Sequence, residues 1–263
     1  MTARLPCQTA LVCADVETVP DPALVPDDWP ADRFPPPAWH RVVAISVVEA
    51  RISRDAAGER YEFVSCRSGG DADWPERRLI GGFWRLLAAR PSRLVTWNGR
   101  AFDLPVLCAR SMVHGLAAVP FFRSGDRWCS YRTRYRPDWH CDLMDQLCEH
   151  GAAVRMRLDD VARSIGLPGK IGGHGSEVAA MVSEGRIEDV RAYCEGDVLN
   201  TAGVYLRWVL LTGVTDHHGY HAAVESLRAL LRAQRDARPH FGAFLDTWCA
   251  AAPQPDRFGE LET

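Results

Sequence analysis

The sequence predicts an α/β fold built on a mixed sheet flanked by helices. Segments with strand character come first in the chain and alternate with helical segments later, and 47% of the 263 residues are apolar, which is enough for a large core. The length is within the range that one domain fills. We therefore interpret residues 1–263 as a single domain, with a core at about 8–211, a C-terminal helical extension at about 214–252 and a polar tail at 253–263.

Strand signals dominate the first part of the chain. Short apolar runs bounded by turn residues predict strands at residues 8–15, 41–51, 60–66 and 94–97. Residues 18–40 include seven prolines between positions 20 and 37 and predict an irregular excursion, because a strand pattern resumes after them. The dipeptide Asn98-Gly99 marks a turn after the last strand.

Helical periodicity dominates the rest of the chain. It predicts helices at residues 76–90, 102–115, 176–184, 187–211 and 219–236. Residues 140–150 and 158–166 are typical of short helices or of a strand–helix pair. A glycine-rich stretch at 166–175 follows them.

Charge and cysteine content narrow the function classes. A net charge of −3 argues against a whole-protein surface for long duplex DNA, but not against an enzyme that holds a few nucleotides in a cleft. Nine cysteines without a CxxC pair disfavour a disulfide framework or a zinc site and fit a reducing compartment. The N-terminus lacks an apolar signal core, and no run of about 18 apolar residues is present. We therefore expect a cytoplasmic protein that does not bind membranes.

The first motif with chemical potential is Asp15-Val16-Glu17, at the end of the first predicted strand. Residues i and i+2 of a strand point to the same face, so the two carboxylates project together. Like charges in this arrangement repel unless a cation neutralises them, and a hard divalent cation prefers oxygen ligands. Because Asp-x-Glu is common, a solvated strand end is the alternative interpretation.

The second motif runs from Asn98 to Asp103, where a strand ends, the chain turns and a helix begins. This position aims the Asp103 carboxylate at the C-terminal edge of a sheet strand, where α/β sites gather. An acidic residue that only favours the helix dipole is the alternative. Asn98 and Phe102 offer a polar group and a stacking face to a terminal nucleotide.

The third motif contains Tyr193 and Asp197, which are four residues apart on a predicted helix and therefore share a face. A Tyr/Asp pair on an otherwise apolar face is unusual. A hydrogen-bonded core tyrosine is the alternative interpretation.

In this order and spacing, the three motifs resemble the DEDD exonuclease superfamily in its tyrosine-bearing branch. The resemblance is strongest to bacterial predicted 3′→5′ exonucleases related to the proofreading domain of family B DNA polymerases. The matching stretches are residues 15–20, 98–107 and 193–201, with weaker matches at 142–145 and 158–170. The similarity spans roughly residues 8–211. The histidine-bearing branch would place histidine at position 192, which is Ala192 here.

The resemblance implies a ribonuclease H-like fold and a two-metal-ion 3′→5′ exonuclease. It implies that Asp15, Glu17, Asp103 and Asp197 hold two Mg²⁺ or Mn²⁺ ions about 3.5–4 Å apart, with Asp15 bridging both ions. Glu17 and Asp197 would complete the first metal site, and Asp103 would serve the second, partly through water. Tyr193 would hydrogen-bond the attacking water and the scissile phosphate. The expected substrate is a single-stranded nucleic acid 3′ end, with DNA favoured, and the expected products are nucleoside 5′-monophosphates.

Weaker signals concern the substrate. Residues 121–136 interleave arginines, including Arg132 and Arg134, with aromatic side chains, which suits a single-stranded backbone and its bases. A solvated loop is an equally good interpretation. Lys170, the only lysine, marks a place where a compact ammonium could contact phosphate or an active-site carboxylate. The substrate-binding candidates are Thr18, Asn98, Phe102, Lys170, Arg132 and Arg134.

Two alternatives remain open at the level of sequence. One is a ribonuclease that trims RNA 3′ ends, because the sequence does not distinguish tolerance of a 2′-hydroxyl from its rejection. The other is a catalytically idle nucleic-acid-binding or scaffold domain, against which the intact set of five candidate catalytic residues argues. The sequence leaves the oligomeric state open.

Overall fold

A five-stranded mixed sheet forms the centre of the molecule. The computed structural model describes residues 8–30, 32–171 and 175–251. The strands are β1 (Ala10–Pro20), β2 (His40–Asp55), β3 (Gly58–Ser68), β4 (Ser92–Thr96) and β5 (His140–Asp142). Their order in the sheet is β3-β2-β1-β4-β5; β2 is antiparallel to β1 and β3, whereas β1, β4 and β5 run parallel. The predicted fold class, α/β with a mixed sheet flanked by helices, is confirmed.

Nine α-helices in the described residues cover the sheet. They are α1 (Glu76–Ala89), α2 (Asp103–Val113), α3 (Val119–Arg123), α4 (Leu143–Leu147), α5 (Leu158–Ser164), α6 (Val178–Ser183), α7 (Ile187–Leu211), α8 (His217–Gln234) and α9 (Pro239–Ala251). Helices α1, α2 and α3 pack on one face of the sheet, and α5, α7, α8 and α9 pack on the other. None of the described helices is long and apolar enough to cross a membrane.

The central strand β1 is buried on both faces from Ala10 to Ala14, which explains its continuous apolar sequence. Its side chains alternate between the two cores. Leu11 and Cys13 belong to the core beneath α7, whereas Val12 and Ala14 belong to the core beneath α1 and α2. This alternation directs the next odd-numbered positions, Asp15 and Glu17, towards the α7 side.

The prediction that the first strand ends at residue 15 and an excursion begins at 18 was wrong. Strand β1 continues to Pro20, because β2 keeps pairing with it across an irregularity between Glu17 and Thr18. A proline is tolerated at position 20 because, among the described residues, β4 pairs only with residues 10–13, so the other side of β1 is an unpaired edge there. The excursion therefore occupies residues 21–39, with a short 3-10 helix at Pro37–Trp39.

The other predicted elements need smaller corrections. The alternative of a strand–helix pair is the one observed for residues 140–150, as β5 and α4. The sequence predicts its last helix at 219–236 and so misses α9, the last helix among the described residues, which lies within the predicted C-terminal extension. Its residues are mostly apolar, and its Phe241, Phe244 and Trp248 are buried in the core beneath α8. Parts of the glycine-rich stretch and the polar tail lie outside the described residues.

Candidate active site

Strand β1 presents Asp15 and Glu17 at the place where its neighbour β4 has ended. Strand β4 pairs only with residues 10–13 of β1, so the two carboxylates lie just beyond that pairing. On the other side, Asp15 is opposite Ser46 and Glu17 is opposite Ala44 in β2. Both acids are half-buried. The central strand of the sheet therefore delivers two carboxylates to a partly enclosed edge.

The turn after β4 brings Asp103 to the same edge. Asp103 is the first residue of α2 and is 6% exposed. The turn is held by Asp142 of β5, whose carboxylate accepts the backbone N–H groups of Asn98 at 2.9 Å and Arg100 at 2.8 Å. Asn98 has a φ of 62°, a conformation that asparagine tolerates better than most residues. Asp142 thus fixes the chain that carries Asp103.

Helix α7 supplies the third part of the site. Tyr193 and Asp197 are both buried on the face that the helix turns towards β1. The thiol of Cys194 lies 3.5 Å from Asp15 Oδ2. Possible ligand atoms of Asp15, Glu17 and Cys194 all lie within 4.8 Å of one another. The sequence motifs are therefore brought together from β1, α2 and α7.

Lys170 places a positive charge inside this cluster. Its ammonium donates a hydrogen bond to the Tyr193 hydroxyl and lies 3.4 Å from Asp197 Oδ2. The loop that carries Lys170 is clamped by Asn200, whose side chain accepts from Gly169 N–H at 3.1 Å and donates to Gly169 C=O at 2.8 Å. The backbone N–H of Lys170 donates to Asp159 at 2.7 Å. The ammonium is therefore held in the site by contacts on both sides of its own loop.

Gly169 is required by the local geometry of that loop. Its φ is +69°, and a Cβ there would lie 2.4 Å from Asp159 Oδ1. Any other residue would be strained and would push away the carboxylate that holds the backbone of Lys170.

Crowding of the carboxylates changes their acidity. Burial, followed by the negative charge of Asp197, raises the pKa of Asp15 to about 7. Burial and then the charge of Asp15 raise the pKa values of Glu17 and Asp103 well above their usual range. Burial also raises the pKa of Asp197, against the opposing effect of Lys170. The cluster thus holds more negative charge than its own cation compensates.

Burial is likewise the main reason that the pKa of the Tyr193 phenol is raised, with the charge of Asp197 as the next cause. The phenol therefore keeps its proton at neutral pH. Tyr193 can orient a neighbouring oxygen by a hydrogen bond, but it does not act there as a base.

An aromatic wall consists of Phe34, His40 and Phe102 and contacts β1 at Thr18, the residue after Glu17. The ring centroids lie 4.7 Å apart for Phe34 and His40, 5.1 Å for His40 and Phe102, and 5.5 Å for Phe34 and Phe102. The hydroxyl of Thr18 lies 3.0 Å from His40 Nδ1, so this hydrogen bond fixes the orientation of the His40 ring. Phe34 is 69% exposed, which leaves a large apolar face open to solvent.

The remaining substrate-binding candidates lie on the β5 side of the Asn98 turn. Asn98 lines a cleft there, and its side-chain oxygen is buried with no hydrogen-bond partner among the described residues. Arg132 lines the same cleft and lies over the Phe122 ring. Arg134 is engaged by Asp145 at 2.7 Å. The structure therefore separates the predicted residues into a carboxylate cluster with Lys170, an aromatic wall and an arginine-lined cleft.

The donor set of the cluster fits divalent cations. Its acidic groups are carboxylates, the ligands that Mg²⁺ and Mn²⁺ prefer, and their raised pKa values show that positive charge is in deficit. Asp15, Glu17, Asp103 and Asp197 could hold such ions. Cys194 lies close enough to be a ligand, but a thiol is a soft donor that these ions do not favour.

Comparisons with known proteins agree with this geometry. The family described as "Predicted 3'-5' exonuclease related to the exonuclease domain of PolB" matches residues 32–248, well over half of the chain. The match includes Asp103, Tyr193 and Asp197 but begins after Asp15 and Glu17. A search of curated proteins finds no match.

Two solved structures of exonuclease I are similar at low levels. The first, a product-bound structure at 1.5 Å resolution, is 13% identical with a TM-score of 0.35, over 77% of this chain and 48% of the other. The second, an apo structure, is 12% identical with a TM-score of 0.33, over 78% of this chain and 47% of the other. The chain thus spans about half the length of these proteins.

The family match covers most of the chain and therefore places it in a class of predicted 3′→5′ exonucleases. The chain belongs to the family of predicted 3′→5′ exonucleases related to the exonuclease domain of PolB. The predicted resemblance to 3′→5′ exonucleases related to the proofreading domain of family B DNA polymerases is confirmed.

Sequence reasoning did not identify several residues that build the site. Asp142 was noted only as part of a matching stretch, although it holds the turn before Asp103. Phe34 and His40 lie in or next to the proline-rich excursion, which has no periodicity to mark them. Cys194 was visible next to Tyr193, but only the register of α7 against β1 shows that its thiol contacts Asp15.

Proposed function

We propose that this chain hydrolyses single-stranded nucleic acid, with DNA favoured, from its 3′ end, and that it uses two Mg²⁺ or Mn²⁺ ions to release nucleoside 5′-monophosphates. The observation that carries the proposal is the convergence of Asp15, Glu17, Asp103 and Asp197 from three elements of the fold, with Tyr193 and Lys170 beside them. Membership of an exonuclease family supports the same reaction.

The four carboxylates would hold the ions, and Asp15 would be the ligand nearest to the other three. The negative charge of Asp15 contributes to the raised pKa values of both Glu17 and Asp103. Bound divalent ions would supply Lewis acidity and would neutralise charge that develops on phosphate oxygens.

Tyr193 would orient the reacting groups. Its hydroxyl oxygen accepts a hydrogen bond from Lys170, and its own proton is directed at the Asp197 carboxylate, a prospective metal ligand. Because the phenol stays protonated, it would hold the attacking water and the scissile phosphate in line rather than remove a proton. Lys170 would steady that hydroxyl through its hydrogen bond.

The aromatic wall would hold the terminal base. Phe102 and the exposed Phe34 present ring faces next to the strand that carries Glu17, and stacking on aromatic rings is tolerant of base identity. Thr18 and Asn98 would contribute polar contacts to the terminal sugar. An enzyme that digests a strand progressively needs such sequence-tolerant contacts.

The proposal is tested with labelled oligonucleotides. A 5′-labelled single strand should yield a ladder that shortens from the 3′ end in Mn²⁺, and a blocked 3′ end should stop digestion whereas a blocked 5′ end should not. Matched DNA and RNA strands of one sequence measure the preference between the two sugars. Cleavage of a circular single strand would replace the exonuclease proposal with an endonuclease.

A further inference from the structure

A cleft of about 380 Å³ opens over the C-terminal ends of β4 and β5, next to the Asn98 turn. Four arginines contribute to its lining: Arg100, Arg132, Arg134 and Arg155. The acidic residues that line it are Asp142 and Asp145. Arginines therefore outnumber acidic residues in this cleft, whereas the whole chain has a net charge of −3.

The two acidic residues are already engaged. Asp145 accepts two hydrogen bonds from Arg134 at 2.9 and 2.7 Å, and Arg134 also donates to the backbone carbonyl of His150. Asp142 accepts backbone N–H groups of the Asn98 turn. Arg134 is therefore neutralised. Among the described residues, neither Asp142 nor Asp145 forms a salt bridge with another arginine of the cleft.

Arg132 and Arg155 carry the uncompensated charge. Both are exposed, and among the described residues neither has a carboxylate within salt-bridge distance. The guanidinium of Arg100, behind them, donates to the backbone carbonyls of Thr133 and His140 at 3.0 and 3.1 Å. Its Nε atom is buried with no partner among the described residues. Guanidinium groups without a carboxylate favour phosphate, whose oxygens match their donor geometry.

The cleft lies close to the carboxylate cluster. Strand β4 lies between β1, which carries Asp15 and Glu17, and β5, which carries Asp142. Two strand spacings place the cleft about 10 Å from the carboxylates. A nucleic acid strand whose 3′ end is bound at the carboxylates would span this distance within a few nucleotides. The Asn98 turn lies between the carboxylate cluster and the cleft.

We infer that this cleft is a binding subsite for an internal phosphodiester of the substrate strand, upstream of the scissile bond, with Arg132 and Arg155 as its phosphate-binding residues. The inference rests on the proposed function, because the proposed 3′→5′ direction of digestion decides which end of the substrate strand lies at the carboxylates. It adds Arg155, which the sequence did not single out, and it assigns Arg134 a structural role in place of the predicted substrate contact.

The test measures binding without hydrolysis. Fluorescence anisotropy of a labelled single-stranded oligonucleotide, in EDTA and at several salt concentrations, compares the full-length protein with Arg132→Ala, Arg155→Ala and the double variant. Each lost phosphate contact should reduce the slope of log affinity against log salt by about 0.7. Arg232→Ala is the matched control, because Arg232 is exposed on α8, which packs on β3 at the opposite edge of the sheet.

A scan of neutral linkages identifies the phosphate. Oligonucleotides with one methylphosphonate each, moved stepwise from the 3′ end, should show one internal position at which the wild-type protein binds more weakly. The same substitution should cause no further loss in the double variant. Equal losses in the arginine and Arg232 variants, or a flat scan, would overturn the inference. Displacement of the strand by millimolar inorganic phosphate together with a flat scan would assign the cleft to a free anion instead. Because the test measures binding and not cleavage, its result can be interpreted even if the protein does not catalyse the proposed hydrolysis.

Discussion

Lys170 donates a hydrogen bond to the hydroxyl of Tyr193 and at the same time lies 3.4 Å from the carboxylate of Asp197. The only lysine of the chain therefore connects the two candidate catalytic residues of α7. A compact ammonium can make both contacts, whereas the planar guanidinium of arginine requires a different geometry. We interpret Lys170 and Tyr193 as one positioning unit.

Loss of either member of this unit should have overlapping effects on turnover. Tyr193→Phe should lower kcat roughly 10²–10⁴-fold, the range expected when a positioned proton donor is removed. Lys170→Met should lower kcat less, and the double variant should be no slower than Tyr193→Phe, because Lys170 acts through the hydroxyl. Steady-state kinetics with Mn²⁺ held constant measures all three. Multiplicative losses in the double variant would show that Lys170 and Tyr193 act independently.

The clamp on the Lys170 loop should couple stability to catalysis. Asn200 is 1% exposed, and its side chain holds both backbone groups of Gly169. Asn200→Ala leaves these groups unpaired, so it should lower the free energy of unfolding by about 1–3 kcal/mol and reduce kcat by loosening Lys170.

Thr212→Ala is the comparison for Asn200→Ala, because Thr212 is exposed and bonds only to carbonyls of its own helix. It should leave both quantities nearly unchanged. Denaturant titration and kinetics of the two variants provide the measurement. An Asn200→Ala protein with normal kcat would mean that the loop positions Lys170 without the clamp.

The metal-free protein should lose stability as pH rises. The pKa of Asp15 is about 7 in the folded state, above the value of about 3.9 for an unfolded aspartate. Between these values the folded state binds more protons, so its stability contribution is complete below about pH 4 and is lost as pH rises through about 7. Divalent ions bind the folded site and offset this loss, by about 2.7 kcal/mol at a hundred times their Kd. The metal-induced rise in Tm should therefore be larger at pH 8 than at pH 5.5.

Asp103→Asn isolates the contribution of charge crowding. It should stabilise the metal-free protein at pH 8, because one buried like charge is removed, and it should reduce the rise in Tm caused by Mn²⁺. Asp73→Asn, at an exposed position, should do neither. Thermal melts in EDTA and in Mn²⁺ at both pH values give the comparison. A wild-type Tm that does not respond to millimolar metal would argue against a shared site.

The aromatic wall should act on substrate binding rather than on the chemical step. Phe34→Ala and Phe102→Ala should each raise KM by a factor that corresponds to about 1–3 kcal/mol, the value of one base–aromatic stack. Leu24→Ala, at an exposed apolar position in the same excursion, should leave KM unchanged. Kinetics with a strand that carries an abasic 3′ end completes the measurement, since Phe34→Ala should then lose its effect. A persistent effect on the abasic strand would assign Phe34 a structural role.

The sequence was sufficient for those parts of the site that depend on local periodicity. Asp15 and Glu17 share a face because strand side chains alternate, and Tyr193 and Asp197 share a face because they are one helical turn apart. For Lys170 the sequence left open a contact with phosphate or with an active-site carboxylate, and a contact with Asp197 is observed. Its anchoring was not predictable, because the clamp comes from Asn200, which is distant in sequence.

Other features depend on contacts that no local pattern encodes. Strand β1 extends to Pro20 only because β2 continues to pair with it. The loop that carries Phe34 has no periodicity, so its approach to Phe102 follows from tertiary packing alone. The arginines at 132 and 134 look equivalent in the sequence, and only the position of Asp145 distinguishes them.

The central claim is that four converging carboxylates make this chain a metal-dependent exonuclease, and the Asp15→Asn variant tests it most directly. A time course with a 5′-labelled single strand compares the wild-type protein in Mn²⁺, the wild-type protein in EDTA, and Asp15→Asn in Mn²⁺, after matched circular dichroism spectra establish that both proteins are folded. We predict stepwise shortening from the 3′ end in the first reaction and an intact strand in the other two. Shortening by Asp15→Asn at even a tenth of the wild-type rate in saturating Mn²⁺ would contradict the assignment of the site.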